Sequence, residues 1–209
     1  MSNPGIPPNK ANLRLSGRQA RRSLAAAQRS TFNSRINQNL LSSNLLRSAQ
    51  SIAAYVAFDG EPDISPALHS FHGRGQQVSQ PCIEAHNRSM QMHRWRPGMT
   101  MAKCELGVQQ PTNVEPVSIN DLDVILMPLV AWDNKGNRLG MGGGYYDRYL
   151  EAVMESRRPL RVGIAYDAQR TENIINQQHD IPLHALIHEN GWVDFATRQA
   201  ATTTDKKRG

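Results

Sequence analysis

The chain reads as an α/β protein: a three-layer α/β/α sandwich on a mostly parallel sheet. Three observations predict that class. The stretch LDVILMPLV at 122–130 is apolar but for Asp123, as a strand is when helices cover both faces of its sheet. LRVGIAY at 160–166 and SIAAYVAF at 51–58 have the same character. From residue 51 onward such runs alternate with stretches suited to helices, the order that builds a layered α/β domain. The 209 residues can bury a core without staples. They read as one domain over 10–195, with flexible ends at 1–9 and 196–209.

The elements follow in order. Residues 1–9 are rich in Pro and Asn and read as loose. Leu13, Ala20, Leu24 and Ala27 recur at helical spacing with arginines between them, which predicts a first helix. A second is expected over about 31–49, with Phe32, Ile36, Leu40 and Leu45 on one side. SIAAYVAF is a buried strand, ended by the Gly and Pro of DGEPDISP. ALHSFHG at 67–73 suits a short helix, QQVSQP at 76–81 a strand, and 82–95 a further strand. Residues 96–116 read as a long irregular section. After the 122–130 strand and a glycine loop, YYDRYLEAVMES at 145–156 suits a helix with Tyr146, Leu150 and Val153 on one face. LRVGIAY is the next strand, HALIHENGWVDF at 184–195 supplies one more short strand, and the tail is disordered.

Lys plus Arg number 24 against 18 Asp plus Glu, a formal net charge of +6. The excess is concentrated in RLSGRQARR at 14–22 and DKKR at 205–208. Such a bias attracts polyanions without distinguishing RNA from ATP. Cys82 and Cys104 lie far apart with no CxxC spacing, against a disulfide framework and for a reducing compartment. No apolar run reaches transmembrane length, and MSNPGIPPNK lacks the apolar core of a secretory signal. A cytoplasmic protein without membrane contact is expected.

NRLGMGGGYYDR at 137–148 is the most informative stretch. It follows the strongest strand and precedes a helix. Gly142, Gly143 and Gly144 would leave backbone amides open to phosphate. Arg148 would add charge-assisted bonds. Asp147 would suit a magnesium ion bridging phosphates, with Asp133 a second acid in the same loop. The stretch is not a P-loop, because no Lys-Ser or Lys-Thr follows, and Tyr145 breaks the dinucleotide fingerprint. From these residues alone two readings stay open. One is a phosphate cradle. The other is a tight connection in which Asp147 is a first-turn acid and Arg148 a solvated base.

DVILMPLVAWDNKGNRLGMGGGYYDRYL at 123–150 closely resembles the signature of the 5-formyltetrahydrofolate cyclo-ligase family, also called 5,10-methenyltetrahydrofolate synthetases. Further matches fall in the same order: Lys10 with LR at 13–14, Arg18, Arg21, Arg22 and Leu24, then YVAFDGEPD at 55–63, MQMHRW at 90–95, ELGVQQP at 105–111, GIAYDAQR and HDIPLHALI. The resemblance implies a fold similar to ribose-5-phosphate isomerase and CoA-transferases. It implies magnesium- and ATP-dependent closure of 5-formyltetrahydrofolate, with or without a polyglutamate tail, to 5,10-methenyltetrahydrofolate. ATP phosphorylates the formyl oxygen, N10 attacks, and phosphate leaves.

By the same resemblance Gly142, Gly143 and Gly144, with Arg138 and Gly140, cradle the ATP phosphates, and Lys10 and Arg14 fold back to the nucleotide. Arg148 steadies the transferring phosphoryl group, Asp147 positions magnesium, and Tyr145 walls the substrates. Glu61 accepts bonds from the pteridine, with Met90 and Trp95 as apolar contacts, though each side chain by itself suits a core better than a ligand. His179 and Asp180 orient the site's wall. The chain departs from the family pattern at Gln177 and Gln110, where glutamate is usual, at His184, where aspartate is usual, and at Leu106, where phenylalanine is usual. Two rivals stand beside this assignment: a nucleic-acid-binding protein, supported by the arginine-rich 14–35 stretch, and a phosphosugar-binding or isomerase-like protein on a related fold. Nothing in the assignment requires nucleic acid.

Overall fold

A computed structural model describes residues 9–112, 114–177 and 179–195. The ends expected to be flexible lie outside these residues, Asn9 excepted. Helix α1, Lys10–Arg22, is capped by the Asn9 side chain, which accepts from the Asn12 amide. The helix expected over 31–49 is instead α2, Ala26–Ser42, and α3, Asn44–Ser48. Ser43 causes the break: its backbone turns extended, and its hydroxyl accepts from the Leu46 amide at 3.4 Å as the cap of α3.

Strand β1 is only Ser51–Ala53, because the chain leaves the sheet early to form a loop. Then come α4, Ser65–Gly73, and β2, Gln77–Glu84. β3, Ser89–Trp95, turns back on β2 as a hairpin, with Ile83 opposite Met90 and Val78 opposite Trp95. The section read as irregular contains a two-stranded ribbon, β4 Met101–Lys103 and β5 Gln109–Pro111, before β6, Pro116–Val117. β7, Val124–Pro128, is followed by a second ribbon, β8 Ala131–Trp132 and β9 Arg138–Leu139. Helix α5 is shorter than expected, Tyr145–Leu150, and continues as one 3₁₀ turn, Glu151–Val153. β10 is Leu160–Ile164. The single strand expected near the end is a hairpin, β11 Ala185–His188 and β12 Gly191–Asp194, whose Asn190-Gly191 dipeptide is a turn signal the strand expectation missed.

The main sheet has the order β12-β11-β10-β7-β1-β2-β3-β6. Strands β11, β10, β7, β1 and β2 are mutually parallel, and the edges are antiparallel. Alternate residues face opposite layers. Ile52, Val124, Leu126, Val162 and Ile187 pack on Ile36, Leu40, Leu68 and Phe71 of α2 and α4. Ala53, Ile125, Met127 and Leu186 join Leu150 and Val153 of the α5 layer. Among the described residues no helix is long and apolar enough to cross a membrane. The chain proceeds from β1 to β2 on one side and returns to β7 on the other. Strand order therefore reverses between β1 and β7, where an open α/β sheet leaves a crevice at its carboxyl ends.

Candidate active site at the strand carboxyl ends

The β1 loop and the segment after β7 meet at this crevice, and α1 lies across both. Its close approach depends on Gly17: a Cβ there would lie 2.2 Å from the Val130 carbonyl oxygen. Around the glycine corner, Arg14 donates from Nε to the Gly140 carbonyl at 3.0 Å. Arg148 donates to the carbonyls of Gly143 at 2.8 Å and Arg88 at 2.7 Å. Its guanidinium also stands over the Tyr145 ring, 5.3 Å from the centroid. Arg138, nearly buried, pairs with Asp147 at 2.8 Å. Lys10 bonds Asp180 and the Gln177 side chain. Burial alone would raise the Asp180 carboxyl, but the bonds from Lys10 and the Gln177 amide bring it below its usual range.

Four cations thus gather at the corner. Lys10 and Arg138 have carboxylate partners; Arg14 and Arg148 have none among the described residues. Gly142 at φ 102° and Gly144 at φ 67° adopt left-handed backbone. A Cβ on Gly143 would lie 2.7 Å from the Tyr145 ring, and one on Gly144 the same distance from the Arg148 guanidinium. The corner therefore offers bare backbone under excess positive charge, which suits a polyanion. The six-residue α5 adds little dipole, so the attraction comes from the arginines and Lys10.

The β1 loop forms the other wall. Phe58, Asp59, Gly60 and Glu61 make a turn closed by a 3.0 Å bond from the Glu61 amide to the Phe58 carbonyl. Asp59 at φ 52° and Gly60 at φ 79° give it type I′ character. Arg21, fully buried, donates from Nε to the Asp59 carbonyl and from Nη2 to the Asp59 carboxylate, each at 2.8 Å. Its Nη1 lies 3.5 Å from Glu61. Arg18, at 3.2 Å, and Arg22 also pair with Asp59. Burial pushes the Glu61 carboxyl up, Arg21 and the Phe58 amide pull it down, and it settles at about 7. Burial holds the Tyr146 hydroxyl well above its usual range; this group has no hydrogen-bond partner among the described residues.

The structure brings together Lys10, Arg14, Arg138, Gly140, Gly142, Gly143, Gly144, Tyr145, Asp147 and Arg148, with Glu61 across the crevice. It does not bring Trp95 there. Met90 is the second residue of β3, at the end of the strand near the glycine corner and buried with the α5 layer, while Trp95 ends the strand five residues on, roughly 17 Å away at about 3.4 Å per residue. The Trp95 ring packs against the α2–α4 core and edge-on to His69. Asp133 is also corrected. Fully buried, it accepts from the amides of Lys135, Asn137 and Ile174 and from the Asn137 side chain, at 2.8–3.1 Å. These donors fill its lone-pair positions, so it clasps the β8–β9 turn and has none left for a metal.

The site residues expected from the sequence did not include Arg21, Asp59 or Tyr146, which the structure places beside Glu61. A signal for the first two was present: Arg18, Arg21 and Arg22 share one helical face, and DGE follows a buried strand.

Comparison with known proteins identifies the family. The profile of the 5-formyltetrahydrofolate cyclo-ligase family matches residues 7–189. The 5-formyltetrahydrofolate cyclo-ligase of Haemophilus influenzae is 33% identical over 181 residues, covering 85% of this chain and 96% of the relative. That of Escherichia coli is 31% identical over 175 residues, covering 81% and 94%. The solution structure of Aquifex aeolicus 5,10-methenyltetrahydrofolate synthetase superposes with a TM-score of 0.78 at 29% identity, over 89% of this chain and 92% of that one. The Mycoplasma pneumoniae synthetase, at 23% identity and a TM-score of 0.71, supports the fold over 87% of this chain and 99% of its own. With its signature residues assembled at one crevice, this chain belongs to the 5-formyltetrahydrofolate cyclo-ligase family.

Proposed function

We propose that the protein closes the ring of 5-formyltetrahydrofolate to give 5,10-methenyltetrahydrofolate, converting ATP to ADP and phosphate. The observation that carries this is the meeting of two unlike groups at the carboxyl ends of β1 and β7: a cationic glycine corner suited to a triphosphate, and a buried carboxyl, Glu61, suited to a ligand with N–H donors. α1 joins them, pairing with the β1 loop at one end and bonding Gly140 and Asp180 at the other.

The formyl oxygen attacks the γ-phosphorus and ADP leaves. N10 then adds to the activated formyl carbon, and release of phosphate and the N10 proton completes the five-membered ring. The protein's part is placement and charge stabilisation. Arg14 and Lys10 hold the triphosphate from α1, and Arg148 neutralises charge on the phosphoryl group in flight. Tyr145 walls the reacting atoms from water, and Glu61 fixes the pteridine. Met90, buried below α5, supports this wall from behind.

Asp147 fits magnesium. Its Oδ1 accepts from Arg138 and the Ile181 amide at 2.8 and 3.3 Å, while Oδ2 has no partner among the described residues. One carboxylate with substrate phosphates is a usual magnesium setting, and no cluster of three or more metal-binding side chains occurs among the described residues. When bound there, the ion would neutralise phosphate charge. The layered sheet also suits a single domain over 10–195 with the kinship to ribose-5-phosphate isomerase and CoA-transferase folds drawn from the resemblance. The arginine-rich stretch is less available to nucleic acid than its composition suggests, since Arg18, Arg21 and Arg22 face Asp59 and Arg29 bonds backbone carbonyls.

Purified protein given ATP, magnesium and 5-formyltetrahydrofolate is expected to generate the absorbance of methenyltetrahydrofolate. Asp147→Asn should lower turnover about 100-fold, roughly 3 kcal/mol of transition-state stabilisation, with little change in melting temperature. No product under conditions where the H. influenzae relative forms it would refute the reading.

A further inference from the structure

Glu61 is surrounded by few charges. From its own turn come Asp59 and the Phe58 amide, which donates to Glu61 Oε2 at 3.1 Å. From α1 comes Arg21. Tyr55 faces it from beyond β1 and Tyr146 from α5, and burial keeps both phenols protonated. Among the described residues, Asp59 and Arg21 are therefore the ones that present charge to Glu61. The geometry divides Arg21 unequally: two short bonds, both 2.8 Å, go to Asp59, and the contact with Glu61 is stretched to 3.5 Å. Asp59 is held in place by its left-handed turn and by Arg18 and Arg22.

We propose that Asp59 is a positioning residue for the folate wall: by holding the buried Arg21 guanidinium to itself, it withholds countercharge from Glu61 and makes substrate binding proton-linked. This rests on the reading that Glu61 receives the pteridine. A carboxylate accepts the N–H donors of that ring better than a protonated carboxyl does. The free protein near neutrality holds a mixed population at Glu61, and the substrate draws it to the ionised form. Affinity thus rises with pH through about 7 and levels off above it. Asp59 tunes this midpoint without touching the substrate.

The test is the dissociation constant of 5-formyltetrahydrofolate, measured by fluorescence or calorimetry from pH 5.5 to 8.5. The proteins are the wild type, Asp59→Asn, Arg21→Lys and Glu61→Gln. Asparagine tolerates the left-handed backbone at position 59 and keeps an acceptor for Arg21. The Nε bond to the position-59 carbonyl remains, but with the Asp59 charge gone the Arg21 cation is shared with Glu61 alone. The midpoint should fall by about one pH unit or more, so that binding at pH 6 tightens roughly fivefold relative to the wild type. Arg21→Lys should act oppositely, since a lysine held by Asp59 loses the reach to Glu61; its midpoint should rise. This variant decides the matter if Asp59→Asn does not fold. Glu61→Gln should bind weakly and without a midpoint in this range. If Glu61→Gln keeps the wild-type pH profile, the assignment of Glu61 to the pteridine fails. If the profile depends on Glu61 but Asp59→Asn only weakens binding equally at every pH, or Arg21→Lys moves the midpoint down, the role given to Asp59 is overturned.

Discussion

His184 meets two donors with one acceptor. The Arg161 amide points at its Nδ1 at 3.0 Å and the Arg161 guanidinium at its Nε2 at 2.8 Å, but a neutral imidazole accepts at one nitrogen only. Burial and then Arg161 push this imidazole down to about 4. The unfolded chain, with an ordinary imidazole, takes up a proton at higher pH than the folded one. Stability from this site is therefore complete above about 6.5 and lost as pH falls from there towards 4. A carboxylate would accept both bonds, and aspartate is the residue usual in the family signature. His184→Asp is expected to raise the melting temperature by a few degrees, about 1 kcal/mol, and by more at pH 5 than at pH 7.5. Melting curves at the two values check this. The departure was legible in the sequence, whereas its partner was not: Arg161 is the one charged residue of β10, and only the register places it beside the loop before β11. Asp133 teaches the same limit. Its acid chemistry was visible, but the four donors that occupy it come from a turn and from a loop some 40 residues on.

At the scale of elements, α1 couples the two walls. Gly17→Ala would set a methyl against the Val130 carbonyl, which also accepts from Gln169 at 3.0 Å and is backbone that cannot swing away. The helix must lift. We expect a loss of about 2 kcal/mol, a fall of roughly 5 °C in melting temperature, and about a tenfold rise in KM for ATP, because Lys10 and Arg14 move with the helix. Gly73→Ala, with nothing within 4 Å, is the control and should leave that KM unchanged. Thermal melts and initial rates decide it. The central strands and the glycine corner could be read in advance because apolar runs and glycine spacing are local signals. The β11–β12 hairpin was also announced, by Asn190-Gly191, but the β2–β3 hairpin was harder to see. Its turn, Ala85–Arg88, has neither Gly nor Pro; Asn87 alone favours it, accepting from the Ser89 amide at 2.9 Å, and Arg88 must adopt φ 55° to close the connection. The split of the second helix at Ser43 was likewise hidden, since Phe32, Ile36, Leu40 and Leu45 keep nearly helical spacing across it.

Across the whole molecule, the reversal of strand order fixes where the two walls meet, and α1 closes over that meeting point. ATP should therefore slow amide hydrogen exchange in α1 and in 140–148 together, leaving the β4–β5 and β11–β12 ribbons unchanged. Mass-spectrometric exchange with and without nucleotide measures this; protection confined to the ribbons would contradict the placement. The placement of the crevice followed from strand alternation once the sheet order was known. The order itself was not legible, because nothing local states that β7 returns beside β1. The bond between Lys10 and Asp180 spans 170 positions of the chain. The first helix leaves the ribosome with Asp59, the partner of its arginines, soon behind it, but Lys10 lacks its acidic partner through most of translation. Such late, long-range closure slows folding. The proposed nucleotide corner is then complete only once Asp180 has been made.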